Sequence, residues 1–182
     1  MKKIKVGIIG MGVGSKHYDV IKKINYCSVV AICEFDKKKL SSKNIQEQNI
    51  FKTNNYKELL EKDINLIIIS SYDNFHSQQI IDFVKNGIHV FVEKPLCITK
   101  KEINKIKKVL KKNPYVKFSS NFVLRTKKTF KHLKSIIEKQ KFGKTYYFEG
   151  DYNFGRLEKI TAGWRSKILS YSVMHGGGIH LI

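Results

Sequence analysis

Short apolar runs that recur along the first two thirds of the chain, each followed by a polar stretch with helical spacing, constrain this sequence more than any other feature. The runs are Lys5 to Ile9, Ser28 to Cys33, Leu66 to Ile69, His89 to Val92 and Tyr115 to Ser119, with a weaker one near Ile50 and Phe51. Each is apolar at consecutive positions rather than alternate ones, so a strand built from it hides both faces. Helices between such strands must cover both sides of one parallel sheet, which predicts a doubly wound α/β domain.

The intervening segments carry matching helix signals. Tyr18, Ile21 and Ile24 follow the first run at helical spacing, and Asp36 to Gln48 reads as a polar helix. Asn55, with Glu58 three residues on, predicts a capped helix before the fourth run. Ile80, Ile81, Phe83 and Val84 predict a helix closed by Asn86-Gly87. Thr99 with Glu102 is a capping box opening a helix with Ile103, Ile106 and Leu110 on one face, which Pro114 ends. After Asn121 the rhythm changes to a helix near Thr129 to Gln140 and a long aromatic-rich strand from Lys144 to Asp151. The reading is one domain over 1–120 and the beginning of a second, incomplete α/β (α+β) domain over 121–182.

No apolar run approaches the roughly 20 residues that span a bilayer, so no membrane role is expected. The formal charge of +20 raises nucleic acid as a partner. Its distribution argues for a solvated lysine surface instead. The only arginines are Arg125, Arg156 and Arg165, whereas base readout and bidentate phosphate contacts favour arginine. Cys27, Cys33 and Cys97 are odd in number and form no C-x-x-C pair, which suits a reducing cytoplasm.

The first strand runs into Gly10-Met11-Gly12-Val13-Gly14-Ser15. Glycines at the first and third positions let the backbone turn sharply and approach a pyrophosphate, and the following helix turns its N-terminal N–H groups toward negative charge. The usual third small residue falls at Ser15, with Gly14 beside it. Glu34 ends the second strand about twenty residues on, where a carboxylate accepts hydrogen bonds from adenosine ribose hydroxyls and repels a 2′-phosphate. The combination predicts a Rossmann domain that binds NAD, with NADP disfavoured. Glu93-Lys94-Pro95 follows the fifth strand at the carboxyl edge of the sheet, where a lysine can orient a hydroxyl or stabilise a developing alkoxide. His175 and His180 raise the question of a metal, but no third ligand with suitable spacing is evident, and no metal site is expected.

The glycine loop with His17, Glu34 after Cys33, Ser71 to His76, Asn86 to Pro95 and Gly176-Gly177-Gly178-Ile179-His180 together resemble the Gfo/Idh/MocA oxidoreductases. The most specific part is Gly87-Ile88-His89-Val90 running into Glu93-Lys94-Pro95. The resemblance implies a second α/β domain whose open sheet holds the substrate and often mediates homo-oligomerisation. It implies NAD-dependent hydride transfer on a sugar, cyclitol or nucleotide sugar. By resemblance Lys94 touches the reacting hydroxyl and His180 is the acid or base. Gly10, Gly12, Val13, Gly14, Ser15, Glu34, Ser71, His76, Glu93 and Lys94 line the cofactor, and Asn121, Arg125, Trp164 and Arg165 approach the substrate. Two positions depart from the family pattern. Gly176 stands where an Asp is usual four residues before the histidine, and Ser71-Tyr72-Asp73 replaces a Thr-Pro-Asn turn. The chain stops at Ile182, where family members continue, so it reads as truncated. The rival reading is a catalytically inactive dinucleotide-binding fragment.

Overall fold

The computed structural model describes residues 3–40, 49–169 and 171–181. These form two compact units, Met1–Asn121 and Phe122–Ile182.

The first unit is built on six parallel strands: β1 (Ile4–Ile9), β2 (Cys27–Cys33), β3 (Phe51–Thr53), β4 (Leu66–Ile69), β5 (His89–Val92) and β6 (Phe118–Ser120). They lie in the order β3-β2-β1-β4-β5-β6. The order reverses between β1 and β4, and ligands of open α/β sheets bind beyond the carboxyl ends of the strands at such a switch point.

Both faces of the sheet are covered, as consecutive apolar positions require. On one face Val6, Ile8, Ile32 and Ile68 pack with Met11, Tyr18 and Ile21 of α1 (Met11–Ile21). On the other, Ile67, Ile69, Val90 and Val92 pack with Ile80, Phe83 and Val84 of α3 (His76–Lys85) and Ile106 and Val109 of α4 (Lys100–Lys112). In chain order α2 (Lys37–Leu40) follows β2; the rest of the helix expected to Gln48 falls outside the described residues.

Local signals explain where elements stop. The Thr99 hydroxyl accepts from the Glu102 N–H while the Glu102 carboxylate accepts from the Thr99 N–H, so the capping box forms. At the end of α3, Gly87 takes a φ of 74° and donates to Val84, and Ile88 donates to Phe83, so the last carbonyls of the helix are satisfied. Two expectations need correction. Asn55 caps a 3₁₀ turn, Tyr56–Glu61, by accepting from the Lys57 N–H, while Glu58 accepts from the Thr53 hydroxyl instead of closing a capping box. Strand β6 begins three residues later than Tyr115, because Val116 N–H bonds back to Asn113 in a turn that leaves Tyr115 exposed.

The second unit contains α5 (Lys128–Glu138), two single-turn helices, α6 (Glu158–Thr161) and α7 (Val173–Gly176), and 3₁₀ turns. The strand expected over Lys144 to Asp151 is absent: residues 145–151 form no helix, strand or turn. A strand needs a ladder partner, and among the described residues the unit offers none, so Tyr146, Tyr147 and Phe148 stay exposed.

Candidate functional site

The switch point brings the ends of β1 and β4 into direct contact. Ser70, just past β4, donates its N–H to the Ile9 carbonyl at 2.8 Å, and its hydroxyl lies 3.0 Å from the Ile9 oxygen and 3.1 Å from that of Gly10. The glycines meet three different demands here. Gly10 has φ +82°, and a Cβ there would stand 2.5 Å from the Ser70 carbonyl oxygen, so this turn excludes any side chain. At Gly14 a Cβ would meet the Ser70 hydroxyl at 2.8 Å and Ile8 at 3.0 Å, so its absence lets α1 press against the sheet. A Cβ on Gly12 would meet nothing within 4 Å. Close packing thus falls to Gly14 and not to Ser15, whose hydroxyl donates to the Gly12 carbonyl at 2.9 Å. Val13 is exposed on the same first turn.

Glu34 is buried at the end of β2, with its carboxylate turned to the glycine turn. It accepts from the Met11 N–H at 2.6 Å and from the Asp36 N–H at 3.1 Å. Next to it, burial first and then the charges of Glu34 and Glu58 push the Cys33 thiol up to about 12. Phe35 and Tyr72, from the loops after β2 and β4, meet edge to face with ring centroids 5.3 Å apart, and Phe35 is exposed. The spacing of the sequence contains no signal for this aromatic pair.

Beyond β5, Glu93 is the hub of a partly buried cluster. His17 Nε2 donates to Glu93 Oε1 at 2.7 Å, and the Asn121 side-chain amide donates to the same oxygen at 2.7 Å. Burial alone would raise this carboxyl. The bonds from His17 and Asn121, the charge of His17 and the Lys94 backbone N–H outweigh burial, and the carboxyl lies below its usual range. Pro95 is held from the opposite side: His76, fully buried, places Nδ1 2.8 Å from the Pro95 carbonyl and Nε2 3.2 Å from that of Ser71. The Ser71 hydroxyl donates to Gln79 Oε1 at 2.6 Å. Glu93, Lys94 and Pro95 therefore form a turn clamped by histidines from two helices.

The remaining expected residues lie in the second unit or at its border. Arg125 stacks its guanidinium 5.0 Å from the Phe122 ring centre. Arg165 lies 4.3 Å from the Trp164 ring centre and donates to the Tyr171 hydroxyl at 3.0 Å. His180 lies on a 3₁₀ turn, Gly178–Leu181, beside the Tyr152 ring. At Gly176 a Cβ would meet Ile160 and Phe154 at 3.3 and 3.4 Å, so the position usually held by Asp faces apolar side chains. Asn121 belongs to the first unit, with its amide on Glu93. Among the described residues no three His, Cys, Asp or Glu side chains cluster as a metal site would require, and no helix is long and apolar enough to cross a membrane.

A parallel sheet of this order, with a glycine turn at its switch point and an acid ending the next strand, defines a dinucleotide-binding protein. The profile of the oxidoreductase family with an NAD-binding Rossmann fold, GFO_IDH_MocA, matches residues 4–122, and the chain belongs to that family. An uncharacterized oxidoreductase of Bacillus subtilis is 30% identical over 78% of this chain and 42% of its own length. The myo-inositol 2-dehydrogenase of Thermotoga maritima is 27% identical over 79% of this chain and 43% of its own. The crystal structure of scyllo-inositol dehydrogenase from Lactobacillus casei with bound NAD(H) and scyllo-inositol superposes with a TM-score of 0.72. It is 27% identical and covers 78% of this chain and 43% of that one. The chain thus spans less than half the length of these relatives.

Proposed function

We propose that this chain takes part in NAD-dependent oxidoreduction of a hydroxyl-bearing carbon on a sugar or cyclitol. The observation that carries the reading is the open space in front of Gly12, at a switch point where Gly10 and Gly14 are required by the fold itself. Gly12 has no such packing reason, and a pyrophosphate lying against the start of α1 supplies one. Backbone N–H groups of Gly12 and Val13 would face that phosphate, with Gly14 and Ser15 completing the turn. The Glu34 carboxylate, already ordered by two N–H groups, would accept from the ribose hydroxyls and disfavour a 2′-phosphate. Phe35 and Tyr72 offer an aromatic edge for the adenine, with Ser71 and the His76 loop behind it.

Bound NAD supplies a nicotinamide ring that accepts a hydride. As a substrate carbon lost its hydride to that ring, the hydroxyl proton would have to pass to a base of this chain. Lys94, on the clamped turn after β5, would hold the hydroxyl oxygen and stabilise its developing negative charge. His180 is proposed as the acid or base, and Trp164, Arg165, Arg125 and Asn121 as residues near the substrate. The inositol dehydrogenases among the relatives point to a cyclitol or similar polyol.

Calorimetric titration with NADH, with NADPH in parallel, tests the cofactor half. Saturable binding at least about tenfold tighter for NADH is expected, since one repelled phosphate contact is worth a kcal/mol or more. Gly12→Val is expected to abolish binding while leaving the melting temperature unchanged. Equal melting with unchanged NADH affinity would overturn the placement of the pyrophosphate. Lys94→Ala is expected to keep NADH binding and lose polyol-dependent NAD reduction.

A further inference from the structure

We infer that His17 is a positioning residue for Lys94, acting through the carboxylate of Glu93. The inference rests on the proposed role of Lys94 and adds a residue that the glycine turn alone does not call for.

The geometry is a relay of short, partly buried bonds. His17 donates to Glu93 Oε1 at 2.7 Å, with 20% and 14% of the two side chains exposed. The same carboxylate accepts from the Asn121 amide and from the backbone N–H of Lys94. A carboxylate gripped by three donors, two of them on separate elements, has few orientations left, and each bond to it is stronger than a neutral one. The Lys94 backbone is therefore fixed by what holds Glu93. The His17 ring is itself locked edge to face against Phe91, two residues before Glu93 on β5, at 5.6 Å between centroids.

His17 also belongs to α1, the helix whose first turn carries the glycines. It sits roughly 9 Å along the axis from Met11, at about 1.5 Å per residue. One rigid element thus joins the turn proposed to take the pyrophosphate to the turn that carries the proposed catalytic lysine. Seating the dinucleotide against α1 steadies both. Without the ring, Glu93 keeps Asn121 but loses its tie to α1, and Lys94 is free to drift by a fraction of its side-chain length. Misplacements near 1 Å cost about a hundredfold in rate.

The test uses the 182-residue chain and the variants His17→Ala and His17→Gln. Glutamine keeps a side-chain N–H that can reach Glu93. Two readouts are taken: amide hydrogen exchange at Lys94 by NMR, and kcat for polyol-dependent NAD reduction beside the NADH affinity. His17→Ala is expected to lose exchange protection at Lys94 while the amides of β1 and β4 keep theirs. It is also expected to lower kcat about 10- to 100-fold with NADH affinity changed less than about threefold. His17→Gln is expected to restore most of both. Unchanged Lys94 protection in His17→Ala, or unchanged kcat, overturns the inference while leaving the oxidoreductase reading standing. If the unsubstituted chain binds NADH but turns over no polyol, that reading of the activity falls, and the loss of Lys94 protection on its own decides the coupling. Should His17→Ala not fold, exchange at Lys94 in His17→Gln and in His17→Leu decides it, with protection retained only by glutamine.

Discussion

The two units of this molecule use their apolar residues in opposite ways. Every buried hydrophobic side chain among the described residues lies between Val6 and Val116. In the second unit Phe142, Tyr146, Phe148 and Leu169 are 83%, 97%, 68% and 91% exposed. Both stretches contain strongly apolar runs, so composition does not separate them. Connectivity does. In the first unit each strand from β1 to β5 is followed by a helix or a 3₁₀ turn that returns the chain to lie beside an earlier strand, so the apolar faces meet neighbours that the same alternation supplies. The aromatic stretch from Lys144 to Asp151 is followed by loops and single-turn helices, and among the described residues no strand pairs with it.

The contrast is sharpest for single side chains. Phe83→Ala, which empties a fully buried site, should destabilise the chain by about 3–5 kcal/mol. Phe148→Ala should stay within about 0.5 kcal/mol. Urea denaturation followed by circular dichroism measures both, and equal losses would show that Phe148 is as buried as Phe83. A smaller effect separates the helices. In α4 the Thr99 cap is complete, whereas the N-cap of α5 is Lys127, whose side chain makes no cap bond. Thr99→Ala should therefore cost about 1 kcal/mol, and Lys127→Ser should add up to about 1 kcal/mol of helix stability. The same melts check the pair.

The smallest effect is electrostatic and separates a buried carboxylate from an exposed one. The Glu93 carboxyl lies below its ordinary 4.5 in the folded chain, so the native state binds fewer protons there than the unfolded state. Its stabilisation is complete above pH 4.5 and is lost as pH falls through the folded value. Glu93→Gln should flatten this acid limb of stability against pH. Glu138→Gln should change stability at neutral pH by no more than about 1 kcal/mol, because the Lys134–Glu138 pair, at 3.6 Å, has side chains 74% and 63% exposed.

How much of this was legible in the sequence follows the same division. Strands β4 and β5 match their apolar runs residue for residue, because a strand buried on both faces shows its full extent in composition. The Thr99 capping box and the Asn86-Gly87 stop are local and were readable for that reason. Lys144 to Asp151 misled, since a pattern suited to a strand carries no information about whether a partner strand exists. Within the site, the place of Glu34 beside the glycine turn was visible by its distance from that turn, and its carboxylate accepts from the Met11 N–H there. The tie between His17 and Glu93 was not, because 76 residues separate them and only the order of the strands brings them together. The spacing puts Gly14 only beside the third small position, whereas its close approach to Ser70 and Ile8 makes it the packing glycine.

The glycine turn also has a meaning for how this sequence can vary by descent. At Gly10 the nearby Ser70 carbonyl and the positive φ forbid every other encoded residue, so any lineage that keeps the fold keeps this glycine whether or not a ligand binds. At Gly12 the fold is indifferent, and a substitution can drift in unless binding removes it. Persistence of glycine at position 12 among close variants would record selection for the ligand itself, while persistence at position 10 records only selection for folding.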